Sequence, residues 1–200
     1  LLEKGYKLIV VDSFINSNPK SLKMVAKICK LKEKNIESNL KVFNVDLRNK
    51  EKLEDVFKFY HDNEKSIDAV IHFAGLKSVS ESISLPLYYW DMNVKSTINL
   101  LDIMFKYKCR NIVFSSSATI YEASNKYLIT EKDNLNPINP YGTNKVAIEQ
   151  LLTDLYNSSP DEWRIANLRY FNPIGAHESS LIGEAPMGVP NNLFPLITEV

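Results

Sequence analysis

Apolar positions along this chain follow two rhythms that take turns. Near-continuous runs at Lys7 to Asp12, Leu40 to Asp46, Ile67 to Phe73, Asn111 to Phe114 and Ile165 to Tyr170 predict strands. Between them apolar residues recur at helical spacing, first as Leu53, Val56, Phe57 and Tyr60, then as Val94, Ile98, Leu101 and Phe105, then as Ile148, Leu151, Leu152 and Leu155. Strands that are apolar throughout, separated by amphipathic helices, imply a parallel sheet covered on both faces. The predicted fold class is therefore α/β, a doubly wound parallel sheet. The rhythm lapses after Tyr170, where Pro173, Gly175, Gly183, Pro186, Gly188 and Pro190 mark a loop-rich stretch before an apolar segment that opens at Asn191.

Leu1 to Gly5 reads as the last turn of a helix stopped by glycine, with a strand following at once. Such a helix is the second half of a βαβ unit, so a first strand and its turn are expected upstream of Leu1. The sequence reads as a fragment cut at both ends.

Composition narrows the partners. Of 200 residues, 44% are hydrophobic, enough for one buried core. Lys and Arg total 24, as do Asp and Glu, so no net field favours nucleic acid or an anionic membrane. The lysine-rich stretch from Lys20 to Lys34 alternates with apolar residues as a solvated helix does. Cys29 and Cys109 form no CxxC pair and have no histidine at metal-ligand spacing; they read as reduced thiols, and no metal is expected. No apolar run approaches the roughly 18 residues of a membrane span. A small-molecule partner and a cytoplasmic location are the expectation.

In open α/β sheets ligands bind outside the carboxyl ends of strands. Asp12 closes its strand where a carboxylate can accept both hydroxyls of an adenosine ribose and repel the extra phosphate of NADP, although an Asp there is as readily a turn former. Asp46 ends the next strand and can equally start the helix bearing Leu53. Phe73-Ala74-Gly75-Leu76-Lys77 follows the third strand; its small residues let backbone approach a ligand, and its lysine offers a charge to a phosphate. His72 reads as a structural histidine, and Asn93 either bonds a ligand or faces solvent.

Tyr141-Gly142-Thr143-Asn144-Lys145, placed 24 positions after Ser117, carries the most chemistry. Tyrosine and lysine four residues apart share one helix face. A phenol with a pKa near about 10 is a poor base at neutral pH, but a neighbouring cation favours phenolate. Tyr141 can then take a proton from a substrate hydroxyl while Ser117 bonds the same oxygen. Taken alone, the pair is better read as a surface aromatic beside a solvated lysine.

His72-Phe73-Ala74-Gly75-Leu76-Lys77, Phe114-Ser115-Ser116-Ser117-Ala118-Thr119, the Tyr141 to Lys145 string, Leu168 to His177 (LRYFNPIGAH) and Pro190-Asn191-Asn192-Leu193, in this order, change that reading. Together they resemble the UDP-glucose 4-epimerase family of the extended short-chain dehydrogenase/reductase superfamily, over essentially the whole chain. The resemblance implies interconversion of UDP-glucose and UDP-galactose with bound NAD. Tyr141 would be the catalytic base, Ser117 would assist at the sugar 4-hydroxyl, and Lys145 would hold the nicotinamide ribose and lower the tyrosine pKa. Hydride would pass from sugar C4 to NAD, and the 4-keto sugar would turn over and take it back on the other face. Asp12, Ser13, Phe14, Ile15, Asn16, Ser17, Asp46, Leu47, Phe73, Ala74, Gly75, Leu76, Lys77, Asn93, Ser117, Tyr141, Lys145 and Phe171 would line NAD. Ser117, Tyr141, Asn172, Asn192 and Leu193 would meet the UDP-sugar.

The same resemblance implies a Rossmann-like NAD-binding domain over residues 1–171, without its first strand and glycine-rich loop, and the start of a nucleotide-sugar-binding region over residues 172–200. It also implies a homodimer through the helices at Asp91 to Lys108 and Asn144 to Asn157. The family's GxxGxxG loop and its C-terminal sugar-binding region are expected outside this sequence, and Glu122 stands where the family usually has glycine. A nucleotide-sugar dehydratase would need an acidic pair after Thr119, where this chain has Ile120 and Tyr121, and a decarboxylase or a plain sugar dehydrogenase is disfavoured by the same strings. A truncated, noncatalytic member of the family stays open as an alternative.

Overall fold

The computed structural model describes residues 1–122, 128–183 and 197. The chain divides into two compact units, residues 1–46 with 172–200, and residues 47–171.

The first unit opens on a 3-10 turn, Leu2–Lys4, closed by Gly5 at φ 82°, a left-handed conformation that glycine adopts at little cost. Strand β1 (Leu8–Asp12) follows, then helices α1 (Lys20–Ile28) and α2 (Glu33–Asn39) and strand β2 (Leu40–Asn44). The two strands pair in parallel with Leu8 opposite Leu40 and Asp12 opposite Asn44. The predicted single lysine-rich helix is thus two, separated at Cys29 to Lys32, where Lys30 takes φ 51°.

The second unit runs α3 (Lys50–Asp62), β3 (Ala69–His72), α4 (Val79–Ser84), α5 (Pro86–Tyr89), a π-helical turn (Trp90–Lys95), α6 (Ser96–Lys106), β4 (Asn111–Ser117), a 3-10 turn (Ala118–Ile120), α7 (Pro140–Ser158) and β5 (Arg164–Tyr170). Its strands form a parallel sheet in the order β3-β4-β5, with His72 beside Phe114 and Phe114 beside Asn167. Strand periodicity makes His72, Phe114 and Arg169 face one way and Ile71, Val113 and Leu168 the other. The first face is buried: His72 reaches Thr97 on α6, and Ser116 reaches Glu149 on α7. On the other, Ile71, Leu168 and Tyr170 are 37–43% exposed, so within the described residues the expected cover on both faces is present on one.

The apolar stripe of α3 is as predicted, with Leu53, Val56 and Phe57 buried, each side chain contributing about 1.5–3 kcal/mol by its removal from water. The stripe on the next helix holds at Leu101, which is buried, but not at Ile98 or Phe105. Ile98 and Phe105 are about half exposed, while Asn93, Thr97, Leu100, Ile103 and Met104 are buried. Ile98 and Phe105 both lie in the regular α6, whose inward face is centred on Thr97, Leu100 and Met104, so the two fall to its side.

Candidate active site

Ser117 is the last residue of β4, and its side chain caps the turn that follows, accepting from Thr119 N at 3.3 Å and from Thr119 Oγ1 at 3.0 Å. Helix α7 starts beside this turn. Asn139 is its N-cap, accepting from Gly142 N at 2.8 Å, and Pro140 fills the first helical position, where a missing N–H costs nothing. Gly142 lets the helix come close: a Cβ there would lie 2.7 Å from the Thr119 carbonyl oxygen and 2.8 Å from Pro137 Cβ. Backbone approach of this kind is what brings Tyr141 to Ser117. Neither Gly142 nor Asn139 was singled out from the sequence, yet the Asn-Pro that opens the helix is a recognisable start signal.

Tyr141 is buried, its ring packed with Leu76 and Tyr89. Burial raises its phenol pKa, and a hydrogen bond with Ser117 pulls it partly back. Lys145 lies one turn further along and is also buried. Its ammonium donates to the Ser115 carbonyl at 2.7 Å, 5.7 Å from the Tyr141 ring centre and 4.7 Å from that of Phe114. Burial pulls the lysine pKa down to about 8. In this structure the largest influence on the Tyr141 phenol is therefore desolvation, which acts against the lowering expected from Lys145.

Asn93 neither faces solvent nor stands idle. It is buried, its Oδ1 accepting from Leu76 N at 2.7 Å and its Nδ2 donating to Leu76 O at 3.1 Å, so it clamps the Phe73 to Lys77 loop. Gly75, at φ 148°, makes room for that amide, whose Oδ1 would sit 3.0 Å from a Cβ. The small residues of this loop thus serve close approach of a side chain of the same unit. His72 is structural as expected. Thr97 Oγ1 donates to Asn93 O at 2.6 Å, so the 2.8 Å bond between His72 and Thr97 must be given by His72 Nε2–H. Burial and the nearby Lys145 charge lower the imidazole pKa to about 3 and keep it neutral.

In the first unit, Asp12 behaves as a turn former. Its Oδ1 accepts from Phe14 N at 2.7 Å and from Ser17 Oγ at 3.0 Å, with Phe14 at φ 52°. Ser13 is partly buried, and Ile15 is 54% exposed. Asp46 and Leu47 are partly buried between β2 and α3 in sequence, Asn49 rather than Asp46 caps α3, and Phe171 is 69% exposed past the end of β5. Asn172 is exposed, while Asn192 and Leu193 lie outside the described residues. Among the described residues no group of His, Cys, Asp and Glu is arranged to hold a metal, and no helix is long and apolar enough to cross a membrane.

The family model described as the NAD dependent epimerase/dehydratase family matches residues 1–196. The chain belongs to that family. Among its relatives, UDP-glucose 4-epimerase 2 of Arabidopsis thaliana is 46% identical over 200 residues, all of this chain and 54% of the plant protein. UDP-glucose 4-epimerase of Bacillus subtilis is 44% identical over all of this chain and 55% of its own length. The chain therefore spans about half the length of these family members. The crystal structure of UDP-glucose 4-epimerase from Bifidobacterium longum, in complex with NAD+ and UDP, matches with a TM-score of 0.89 at 44% identity, covering 100% of this chain and 56% of that one. The Stenotrophomonas maltophila enzyme, with bound NAD and formylated UDP-arabinopyranose, gives 0.89 at 37% identity, covering 100% and 55%.

Proposed function

We propose that the protein carrying this chain inverts C4 of a UDP-hexose, interconverting UDP-glucose and UDP-galactose through a 4-keto sugar with bound NAD. The observation that carries the reading is the joint placement of Tyr141, Ser117 and Lys145 at the carboxyl end of β4, the position expected for chemistry in an α/β sheet. The relatives' names and the NAD in the matched structures support the same assignment. Ile120, fully buried after Thr119, leaves no acid at the place where a dehydratase would need one.

The donor sets suit the cofactor. Asp12 spends Oδ1 on its turn, which leaves Oδ2 for the diol of the adenosine ribose, and the Lys145 ammonium suits the hydroxyls of the nicotinamide ribose. When bound, NAD supplies a hydride acceptor for C4 and a positive charge beside the phenol. Tyr141 would take the proton of the 4-hydroxyl while Ser117 holds that oxygen, and Tyr141 would return the proton after the sugar has turned. The raised pKa of buried Tyr141 keeps the phenol protonated until such a charge arrives. Of the remaining assignments, Ser13 to Ser17, Asp46, Leu47, Phe73 to Lys77, Asn93 and Phe171 belong to the NAD site in this proposal, and Asn172, Asn192 and Leu193 to the sugar site. Residues 1–171 are proposed as the NAD-binding domain, with 172–200 opening the substrate region.

A homodimer is part of the proposal, supported by the exposed apolar Trp90, Ile98 and Phe105 along one helical stretch and Tyr156 on α7. Cys29 and Cys109 are free thiols, the state a reducing compartment keeps, and a cytoplasmic location is proposed with them. The test is to incubate the full-length protein with UDP-galactose and to identify both the product and the cofactor released on denaturation. UDP-glucose and NAD are expected. A dehydrated 4-keto product, or no turnover by protein that holds NAD, would overturn the epimerase reading.

A further inference from the structure

Ser116 and Ser117 are neighbours in β4 and point to opposite faces of the sheet. Ser117 serves the turn above the strand. Ser116 points under α7, where its hydroxyl donates to Glu149 Oε1 at 2.5 Å. The strand register sets Ser116 beside Arg169 on β5, and that guanidinium grips the same carboxylate in a fork, Nε to Oε1 at 3.1 Å and Nη2 to Oε2 at 2.7 Å. Arg169 Nη1 continues to the Tyr121 hydroxyl at 2.9 Å and the Glu131 carbonyl at 3.1 Å. Tyr121 immediately follows the 3-10 turn that Ser117 caps. One buried carboxylate thus ties together α7, β4, β5 and the turn after the serine.

Tyr141, Lys145 and Glu149 follow one another at four-residue intervals on the buried side of α7. They meet three successive serines: the phenol Ser117, the ammonium the Ser115 carbonyl, and the carboxylate the Ser116 hydroxyl. A slip of the helix along the strand would break all three. The Glu149–Arg169 pair is poorly explained by stability, because a buried ion pair gives little net gain over apolar side chains of the same volume. What a forked pair does supply is fixed geometry.

We propose that Glu149 and Arg169 are positioning residues that set the register of α7 against β4 and so hold Tyr141 and Lys145 in catalytic relation to Ser117. This rests on the epimerase reading. In the full-length enzyme Ser116→Ala, which removes only one bond of the lock, should lower kcat by about three- to tenfold, with KM for UDP-galactose within about twofold, since the misplacement is felt in the transition state. The paired replacement Glu149→Met with Arg169→Met removes both charges together and should keep the melting temperature near wild type while kcat stays at least about tenfold down. Recovery of kcat along with the melting temperature, or a Ser116→Ala enzyme with wild-type kcat, would show that the network is structural only. Should the paired variant fail to fold, the Ser116→Ala result decides. If the wild type does not epimerise UDP-galactose, the functional reading fails on its own. The positioning claim is then read from a carbon-13 NMR titration of the Tyr141 phenol in the wild type and in Ser116→Ala. A change of about half a pKa unit or more supports it, because the Ser117 bond and burial both depend on register, and superimposable curves overturn it.

Discussion

Two strands of this chain end in the same local device and are put to different use. Asp12 at the end of β1 and Ser117 at the end of β4 each accept a hydrogen bond from the backbone N–H two residues on, at 2.7 Å and 3.3 Å. Around Asp12 the turn is closed by Ser17, with Phe14 in a left-handed conformation and Ile15 exposed. Around Ser117 a helix has been brought in, and the serine is buried with Tyr141 and Lys145. A turn alone can present a group for binding, whereas a reaction needs a second element held at a fixed distance from the first.

The largest effect is expected where that second element supplies chemistry. Tyr141→Phe keeps the ring packed on Leu76 and Tyr89 and deletes the proposed proton acceptor, so the proposed epimerisation by the full-length protein should fall by about 10²- to 10⁴-fold with nucleotide-sugar affinity nearly intact. A variant within a few-fold of wild type would place the base elsewhere.

Lys145 sharpens the contrast through pH. Its folded pKa of about 8 lies below the ordinary 10.5, so between those values the unfolded chain binds more protons and stability rises with pH. The shift corresponds to about 3 kcal/mol across the window. Lys145→Met should remove this slope, read as the difference between wild-type and variant urea midpoints from pH 8 to pH 10. Parallel profiles would mean that the ammonium is solvated.

Gly142→Ala tests the close approach. In most helix interiors this change stabilises, but here the added methyl would meet a backbone oxygen 2.7 Å away. Destabilisation of about 1–3 kcal/mol is expected in thermal or chemical melts, and a gain would show that α7 does not press on the turn.

The smallest effect belongs to the simple turn. Asp12→Asn keeps an acceptor for Phe14 N and Ser17 Oγ while removing the charge, so stability should change by less than about 0.5 kcal/mol. The preference for NAD over NADP should fall several-fold in cofactor titrations. An unchanged preference would reduce Asp12 to a turn former.

The amino-acid pattern by itself determined the alternation of strands and helices and the parallel pairing, because residue periodicity is a local property that survives in one dimension; Ser117, Tyr141 and Lys145 were grouped by the resemblance of their strings to a known family. It placed Ile98 and Phe105 on the wrong face, since apolar spacing alone does not say which side of a helix packs inward, and the buried arc of α6 runs through Thr97, Leu100 and Met104. It also could not tell that Asn93 clamps Leu76, that Gly142 serves the Thr119 carbonyl, or that Glu149 meets Arg169 and Ser116. Those contacts join residues 17 to 33 positions apart. Only packing decides which side chains meet over such separations, and only the burial that packing creates raises the Tyr141 phenol pKa.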